Sequence, residues 1–296
     1  MSSIAAFKGR GTNTLPGMVE AFLRDLEAQN KSPHTLKSYR LDMGDFLRYY
    51  QGGVDGISAA MLRAYFEGLV ESLSPASQAR KRATLKSFFR WCYQQEILPS
   101  NPMDKLGAVK VPEAQPRFLA AGQVERILKA ISNDRDRVLF TLISETGLRI
   151  SEALSVRVED LRLEAQELRV RGKGQKERTV HLVKTESLRL LTRFLRKHGI
   201  KEGLVFRPDP AKQRRGVANR PIDYSVVSRA WKRYCEDAGV SCTIHQLRHT
   251  YATDLINRGV PVEIVGKILG HKNIQTTTRY AKVSEQTVRK ALEHVR

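Results

Sequence analysis

The segment that decides the reading runs from Thr243 to Tyr280, "TIHQLRHTYATDLINRGVPVEIVGKILGHKNIQTTTRY". It gathers His245, Arg248, His249, His271, Arg279 and Tyr280 into one short span of a strongly basic chain. Its text predicts helices interrupted at "RGVP" and around Gly270. A metal centre is one reading, because Cys242, His245 and His249 fall at C-x2-H-x3-H. A closed zinc site needs four ligands, however, and Cys235 is the only nearby fourth. Arg248, a permanent cation, also sits between the two histidines where a dication would bind. No metal is expected.

Phosphate chemistry without a metal suits these residue types better. Such a site must neutralise two non-bridging oxygens, supply a nucleophile and protonate a leaving oxygen. Arginine serves the first task, since its planar fork bonds phosphate bidentately and keeps its charge. Arg149 and Arg248 are the candidates, each near a helix start that follows a break. Histidine can move protons or donate hydrogen bonds near neutral pH. A lysine in a hairpin turn can act as general acid, and a tyrosine becomes a nucleophile once cations stabilise its phenolate. Taken singly, each of these side chains is more often structural. Nothing points to ATP: "GKGQK" is no G-x4-G-K-[ST] loop, and Lys173 falls in a hairpin turn. No paired-carboxylate cluster suggests a metal-dependent nuclease. No cofactor is expected.

The whole chain favours a polyanionic partner. Its 296 residues hold 51 Lys+Arg against 31 Asp+Glu, a net charge of +20, with the cations dispersed through both halves. That pattern fits a folded surface tracking a nucleic-acid backbone. No apolar run approaches the roughly 18 residues of a membrane span, and the N-terminal text lacks the apolar core of a secretory signal. Cys92, Cys235 and Cys242 are odd in number and lack CxxC spacing, as expected of reduced thiols. The expected compartment is the cytoplasm, with no membrane partner.

Working outward, the first half reads as helices. Ser32-Pro33 and Ser74-Pro75 each open one, Ser as N-cap and Pro at the first helical position. In the first, Leu36, Tyr39, Met43, Phe46, Leu47 and Tyr50 recur at helical spacing; in the second, Leu85, Phe88, Phe89 and Cys92 form an apolar stripe. Arg82, Lys86 and Arg90 recur every four residues on one face, which with Arg80 is a candidate DNA-facing surface. The stretch "KLGAVKVPEAQPR" carries Gly107, Pro112 and Pro116 without a sustained period and reads as a linker. Gly147 in "TGLR" is a C-cap candidate ahead of a new helix through Ser151 and Leu154. "ELRVRGKGQKERTVHLV" is the only clear strand text, with Leu168/Val170 and Val180/Leu182 alternating across a turn. The expected fold is mainly α with a small β-hairpin or sheet. The expected division is a helical domain over 1–104, a linker over 105–117 and a mixed α+β domain over 118–296.

In order along the chain, "TGLRISE", "GKGQKER", "HQLRHTYAT" and "LGHKNIQTTTRY" resemble the four motifs of the tyrosine recombinases, the family of phage integrases and Xer-type recombinases. The helical first half is similar to that family's core-binding domain. The resemblance implies a two-domain, C-shaped DNA clamp with the six catalytic positions filled by Arg149, Lys173, His245, Arg248, His271 and Tyr280. Lys176 lies near Lys173, which is preferred because it holds the "GKG" position. Tyr280 would attack a scissile phosphate to give a 3′-phosphotyrosyl link and a free 5′-hydroxyl, so that rejoining needs no ATP. Arg149, Arg248 and His271 would hold the phosphate, His245 would assist removal of the tyrosine proton, and Lys173 would protonate the departing 5′-oxygen. His249 reads as a supporting or packing residue and Tyr251 as packing; Glu152 either orients Arg149 or is a surface carboxylate.

The implied partners are double-stranded DNA with paired half-sites and further copies of the chain, four on two sites. A second recombinase or accessory protein stays open. The text from Ser284, "SEQTVRKALEHV", reads as a short amphipathic helix, which either docks on a neighbouring subunit, as the resemblance implies, or packs on its own domain. The text "FLAAGQVERIL" lacks the Ser or Thr N-cap expected at the start of the second domain. A short ending and the absence of an arm-binding domain lean toward a simple recombinase, of Xer type or of a mobile element. Two alternatives share the same charge: a silent DNA-binding accessory factor, and a type IB topoisomerase-like enzyme that relaxes supercoils.

Overall fold

A computed structural model describes residues 14–112, 117–172, 177–183, 185–208, 220–271, 273 and 275–281. For residues 185 and 279–281 only the backbone is described. The chain divides into two compact units, Met1–Glu113 and Ala114–Arg296.

The described residues of the first unit form four α-helices, α1 (Leu15–Ala28), α2 (Pro33–Tyr49), α3 (Ala59–Glu67) and α4 (Pro75–Gln94). Each starts on a hydroxyl cap: the side chains of Thr14, Ser32, Ser58 and Ser74 accept from the backbone N–H of Gly17, Thr35, Met61 and Ser77. Those caps satisfy N–H groups that the first helical turn leaves without partners. The buried faces meet in an aromatic core in which Phe46, Phe88, Phe89, Leu85 and Cys92 are fully buried. Asp42 is also fully buried, and it accepts from Arg80 and from Thr84 Oγ1 at 3.0 Å, with Lys81 Nζ at 3.3 Å. These contacts join α2 to α4 across the core.

The basic stripe on α4 has the expected spacing, yet its members live in different surroundings. Arg82 donates to the Gly107 carbonyl at 2.8 Å and lies 4.4 Å from the Phe66 ring centroid. Lys86 pairs with Asp104 at 3.1 Å, Arg80 with Asp42, and Arg90 is exposed.

The second unit comprises α5 (Gln123–Ala130), α6 (Asp134–Thr146), α7 (Ile150–Leu154), strands β1 (Leu161–Arg162), β2 (Glu167–Arg171) and β3 (Glu177–His181), then α8 (Thr185–Lys197), α9 (Tyr224–Asp237), α10 (Ile244–Asn257), α11 (Val262–Leu269) and α12 (Gln275–Ala281). The strands form one antiparallel sheet in the order β1-β2-β3, so the hairpin read from the sequence gains an edge strand. Leu168 pairs with Val180 and Val170 with Arg178, which puts all four on the inward face. Buried residues of α6, α9 and the sheet make the main core; Ala252, Ile256, Val265 and Leu269 make a smaller one between α10 and α11. The start of α5 lacks the hydroxyl cap, and Gly122, at φ +78°, takes that position. No helix among the described residues is long and apolar enough to cross a membrane.

Candidate active site

The site is organised around the C-terminus of α11. A helix leaves its last four carbonyls without intrahelical partners, and here each finds one. Gly270, at φ +66°, closes the helix: its N–H donates to the Lys267 carbonyl at 3.1 Å and the N–H of His271 to the Gly266 carbonyl at 3.0 Å. The next three carbonyls in sequence are each taken by a different arginine. Arg178 Nε donates to Ile268 O at 3.2 Å, Arg248 Nη2 to Leu269 O at 2.7 Å, and Arg149 Nη2 to Gly270 O at 3.3 Å. Three guanidinium groups from three elements thus meet at the negative end of one helix.

One carboxylate holds them there. Glu152 is nearly buried and sits in the first turn of α7, where Oε2 accepts from the Arg149 N–H at 2.9 Å. Oε1 accepts from Arg149 Nη1 at 2.8 Å, and Arg178 adds a two-pronged pair at 2.9 Å to each oxygen. Arg248 Nη1 lies 4.0 Å from Oε2 and donates to the Gly147 carbonyl at 2.5 Å. Burial alone would raise the Glu152 carboxyl, but the Arg178 hydrogen bonds and the Arg149 N–H outweigh it and hold the group at about 2. Glu152 is therefore ionised near neutrality, and it is no surface carboxylate.

Gly147 permits this crossing. It caps α6 in the left-handed region at φ +66°, and a Cβ there would stand 2.5 Å from Tyr251 Cδ1 and 2.7 Å from Leu269 Cδ2. Tyr251 accordingly packs against this turn, in the small core beside α11.

The histidines flank the arginines. His271 follows Gly270, and its Nδ1 lies 2.7 Å from the hydroxyl of Thr277, a fully buried residue of α12. Burial first, then the charges of Arg248, Arg149 and Arg178, push His271 down to about 4. His245 and His249 stack edge-on with ring centroids 4.3 Å apart. Burial lowers both, aided by Arg248 in each case, and His249 falls to about 4. Neutral imidazoles beside fixed guanidiniums give a site with hydrogen-bond donors, proton acceptors and permanent positive charge. Among the described residues, no group of three or more His, Cys, Asp or Glu comes together as a metal would require.

Of the residues singled out by sequence, Arg149, Arg248, His245 and His271 converge here. Tyr280 lies on α12, which packs on α10 and α11; its side chain is outside the described residues, as are Lys173, Lys176 and the segment from Ser284. Two participants escaped the sequence reading. Arg178 carried a usable signal, because the alternation through Val180 puts it on the inward face, where a cation needs a carboxylate. Thr277, within the polar run "QTTTRY", carried none.

The Phage integrase family model matches residues 117–287, and the Phage integrase N-terminal SAM-like domain model matches residues 19–96. Tyrosine recombinase XerC of Myxococcus xanthus is 31% identical over 288 residues, covering 92% of this chain and 94% of that protein. Tyrosine recombinase XerA of Pyrococcus horikoshii is 31% identical over 281 residues, covering 93% and 92%. In solved structures, XerH site-specific recombinase bound to palindromic difH substrate superposes with a TM-score of 0.73 at 22% identity, covering 94% of this chain and 84% of that one. A lambda integrase tetramer bound to a Holliday junction gives a TM-score of 0.74 at 20% identity, covering 90% and 77%. The chain belongs to the phage integrase family, that is, to the tyrosine recombinases.

Proposed function

We propose that this chain is a site-specific DNA recombinase in which Tyr280 is the nucleophile. The tyrosine oxygen attacks the scissile phosphorus; the new O–P bond replaces the bond to the 5′-oxygen and leaves a 3′-phosphotyrosyl link. His245, held neutral, accepts the phenolic proton. Arg149 and Arg248 neutralise the non-bridging oxygens in the pentacoordinate state, and His271 donates a hydrogen bond to it. Lys173 supplies the proton that the 5′-oxygen takes up. Attack by the 5′-hydroxyl of a partner strand reverses the chemistry and rejoins DNA, and two such rounds pass through a Holliday junction. No step needs ATP, because the phosphotyrosyl bond conserves the phosphodiester's energy.

The observation that carries this reading is the meeting of Arg149, Arg248 and His271 at the end of α11, beside the helix bearing Tyr280. The net charge of +20 supports a duplex DNA partner, and we place the reaction in the cytoplasm with its DNA. The boundaries proposed are a core-binding domain over 1–104, a linker over 105–117 and a catalytic domain over 118–296. Four copies acting on two sites is the assembly proposed, and the lambda integrase tetramer on a Holliday junction supports it. The contribution of Arg80, Arg82, Lys86 and Arg90 to duplex binding is part of the same proposal.

The test uses nicked suicide duplexes carrying a site selected by the protein from a random duplex library. A covalent protein–DNA band with wild type, lost in Tyr280→Phe, is the expected result. A band that survives the substitution moves the nucleophile elsewhere. Tight binding to the selected site with no band from wild type points to the silent accessory factor. Relaxation of supercoils without strand exchange points to the topoisomerase-like activity.

A further inference from the structure

We propose that Arg178 is a positioning residue for strand cleavage: from the inward face of β3 it holds both Glu152 and the end of α11, and through them sets Arg149, Arg248 and His271 against the phosphate. The inference rests on the recombinase reading above and adds to it a residue outside the six positions that the family resemblance supplied.

Charge comes first. Arg149 and Arg248 can neutralise a phosphate only if their own counter-charge does not consume them. Glu152 is the carboxylate that touches this cluster, and Arg178 occupies both of its oxygens with a two-pronged pair at 2.9 Å. Arg149 keeps a single side-chain contact to the carboxylate, and Arg248 stands off at 4.0 Å. Arg178, 15% exposed, is thus the main counter-ion of Glu152, while Arg149 is 39% exposed and faces outward. The arrangement leaves Arg149 with one side-chain contact to the carboxylate and a partly exposed guanidinium, while Arg248, 1% exposed, is held by the Gly147 and Leu269 carbonyls.

Geometry comes second. The third donor of Arg178, Nε, fixes the Ile268 carbonyl at 3.2 Å, one residue before the carbonyl held by Arg248 and two before that held by Arg149. His271 is the next residue, so its ring is set by how this turn is pinned. The pinning is close: a Cβ at Gly270 would lie 3.1 Å from Arg178 Cδ, and the glycine's φ of +66° already favours a residue without one. Only a planar fork with an additional Nε donor spans the carboxylate and the carbonyl together. A lysine ammonium is one point on a flexible stem and reaches one or the other.

A positioning role and a merely structural one differ in what they do to the reaction. The experiment compares wild type, Arg178→Lys and Arg178→Gln in single-turnover cleavage of the selected suicide duplex. A second duplex carries a methylphosphonate at the scissile position, whose neutral methyl group replaces one charged oxygen. The expected result is a fall of about 10–100-fold for Arg178→Gln on the ordinary phosphodiester. Most of that penalty should vanish on the methylphosphonate, where there is less charge to neutralise. Arg178→Lys should recover only a small part, and duplex affinity should stay close to wild type. Wild-type cleavage on both arginine variants overturns the proposal, as does an equal loss on the two substrates. If Arg178→Gln does not fold, the Arg178→Lys comparison decides in the same way. A wild-type protein that forms no covalent band fails the recombinase reading itself, which is a separate outcome.

Discussion

Replacing Glu152 by glutamine should destabilise the catalytic unit far more than its conservative size suggests. The carboxylate accepts one backbone and three guanidinium hydrogen bonds at 2.8–2.9 Å. Glutamine at this position offers one carbonyl oxygen and one amide nitrogen, so that a donor would face the donors of an arginine. The loss is greatest toward Arg178 and Arg248, which are 15% and 1% exposed; the share from Arg149, at 39% exposed, is weakened by water. Breaking a buried ion pair by removing one partner costs about 3–5 kcal/mol. In a domain of this size each kcal/mol moves the melting temperature by about 2–4 °C, so the expected fall is on the order of 10 °C.

Differential scanning calorimetry of the full chain, wild type against Glu152→Gln at neutral pH, measures this directly. The sign of the pH dependence supplies a second check. The folded carboxyl sits at about 2 against an ordinary 4.5, so between those values the unfolded chain binds more protons and stability rises with pH. The difference between wild type and variant should therefore be constant above about pH 5 and shrink as pH falls through that window. Duplex binding should survive, because no positive charge is removed. A melting shift below about 2 °C at neutral pH, less than about 1 kcal/mol, would refute the claim that this carboxylate holds the cluster.

Thr277→Val keeps the shape of a buried side chain but removes the hydroxyl beside His271 Nδ1; cleavage should fall by about tenfold or more, with duplex affinity unchanged, in single-turnover assays. Gly147→Ala combines a left-handed backbone with contacts at 2.5 and 2.7 Å to Tyr251 and Leu269; denaturant titration should show a loss of about 2–4 kcal/mol. His249 and His271, both at about 4 when folded against an ordinary 6.5, bind fewer protons folded than unfolded. Stability should hence decline as pH falls from about 6.5 toward 4, and replacing both by asparagine should flatten that slope in denaturation midpoints.

Most of what was legible in the sequence was local. Ser32-Pro33 and Ser74-Pro75 begin helices because a hydroxyl cap and a proline act within one turn. Gly147 and Gly270 break helices because each needs a positive φ. The order of the motifs named Arg149, Arg248, His245 and His271 as one set, although 101 residues separate Arg248 from the carbonyl it holds at Gly147. Spacing alone could not say which cations are spent on internal partners. On α4, the four-residue spacing of Arg82, Lys86 and Arg90 reads as one free face, yet Gly107 and Asp104 take two of them and Asp42 takes Arg80 from 38 residues away. Arg178 shows the same limit from the other side. Its inward place on β3 follows from period-2 alternation, but the need it creates, a carboxylate to meet it, is answered 26 residues earlier on a different element. A strongly basic chain has many candidate cations and few buried acids. In such a chain the informative residues are buried acids, such as Asp42 in one unit and Glu152 in the other, because each fixes which neighbouring cations are held by internal partners.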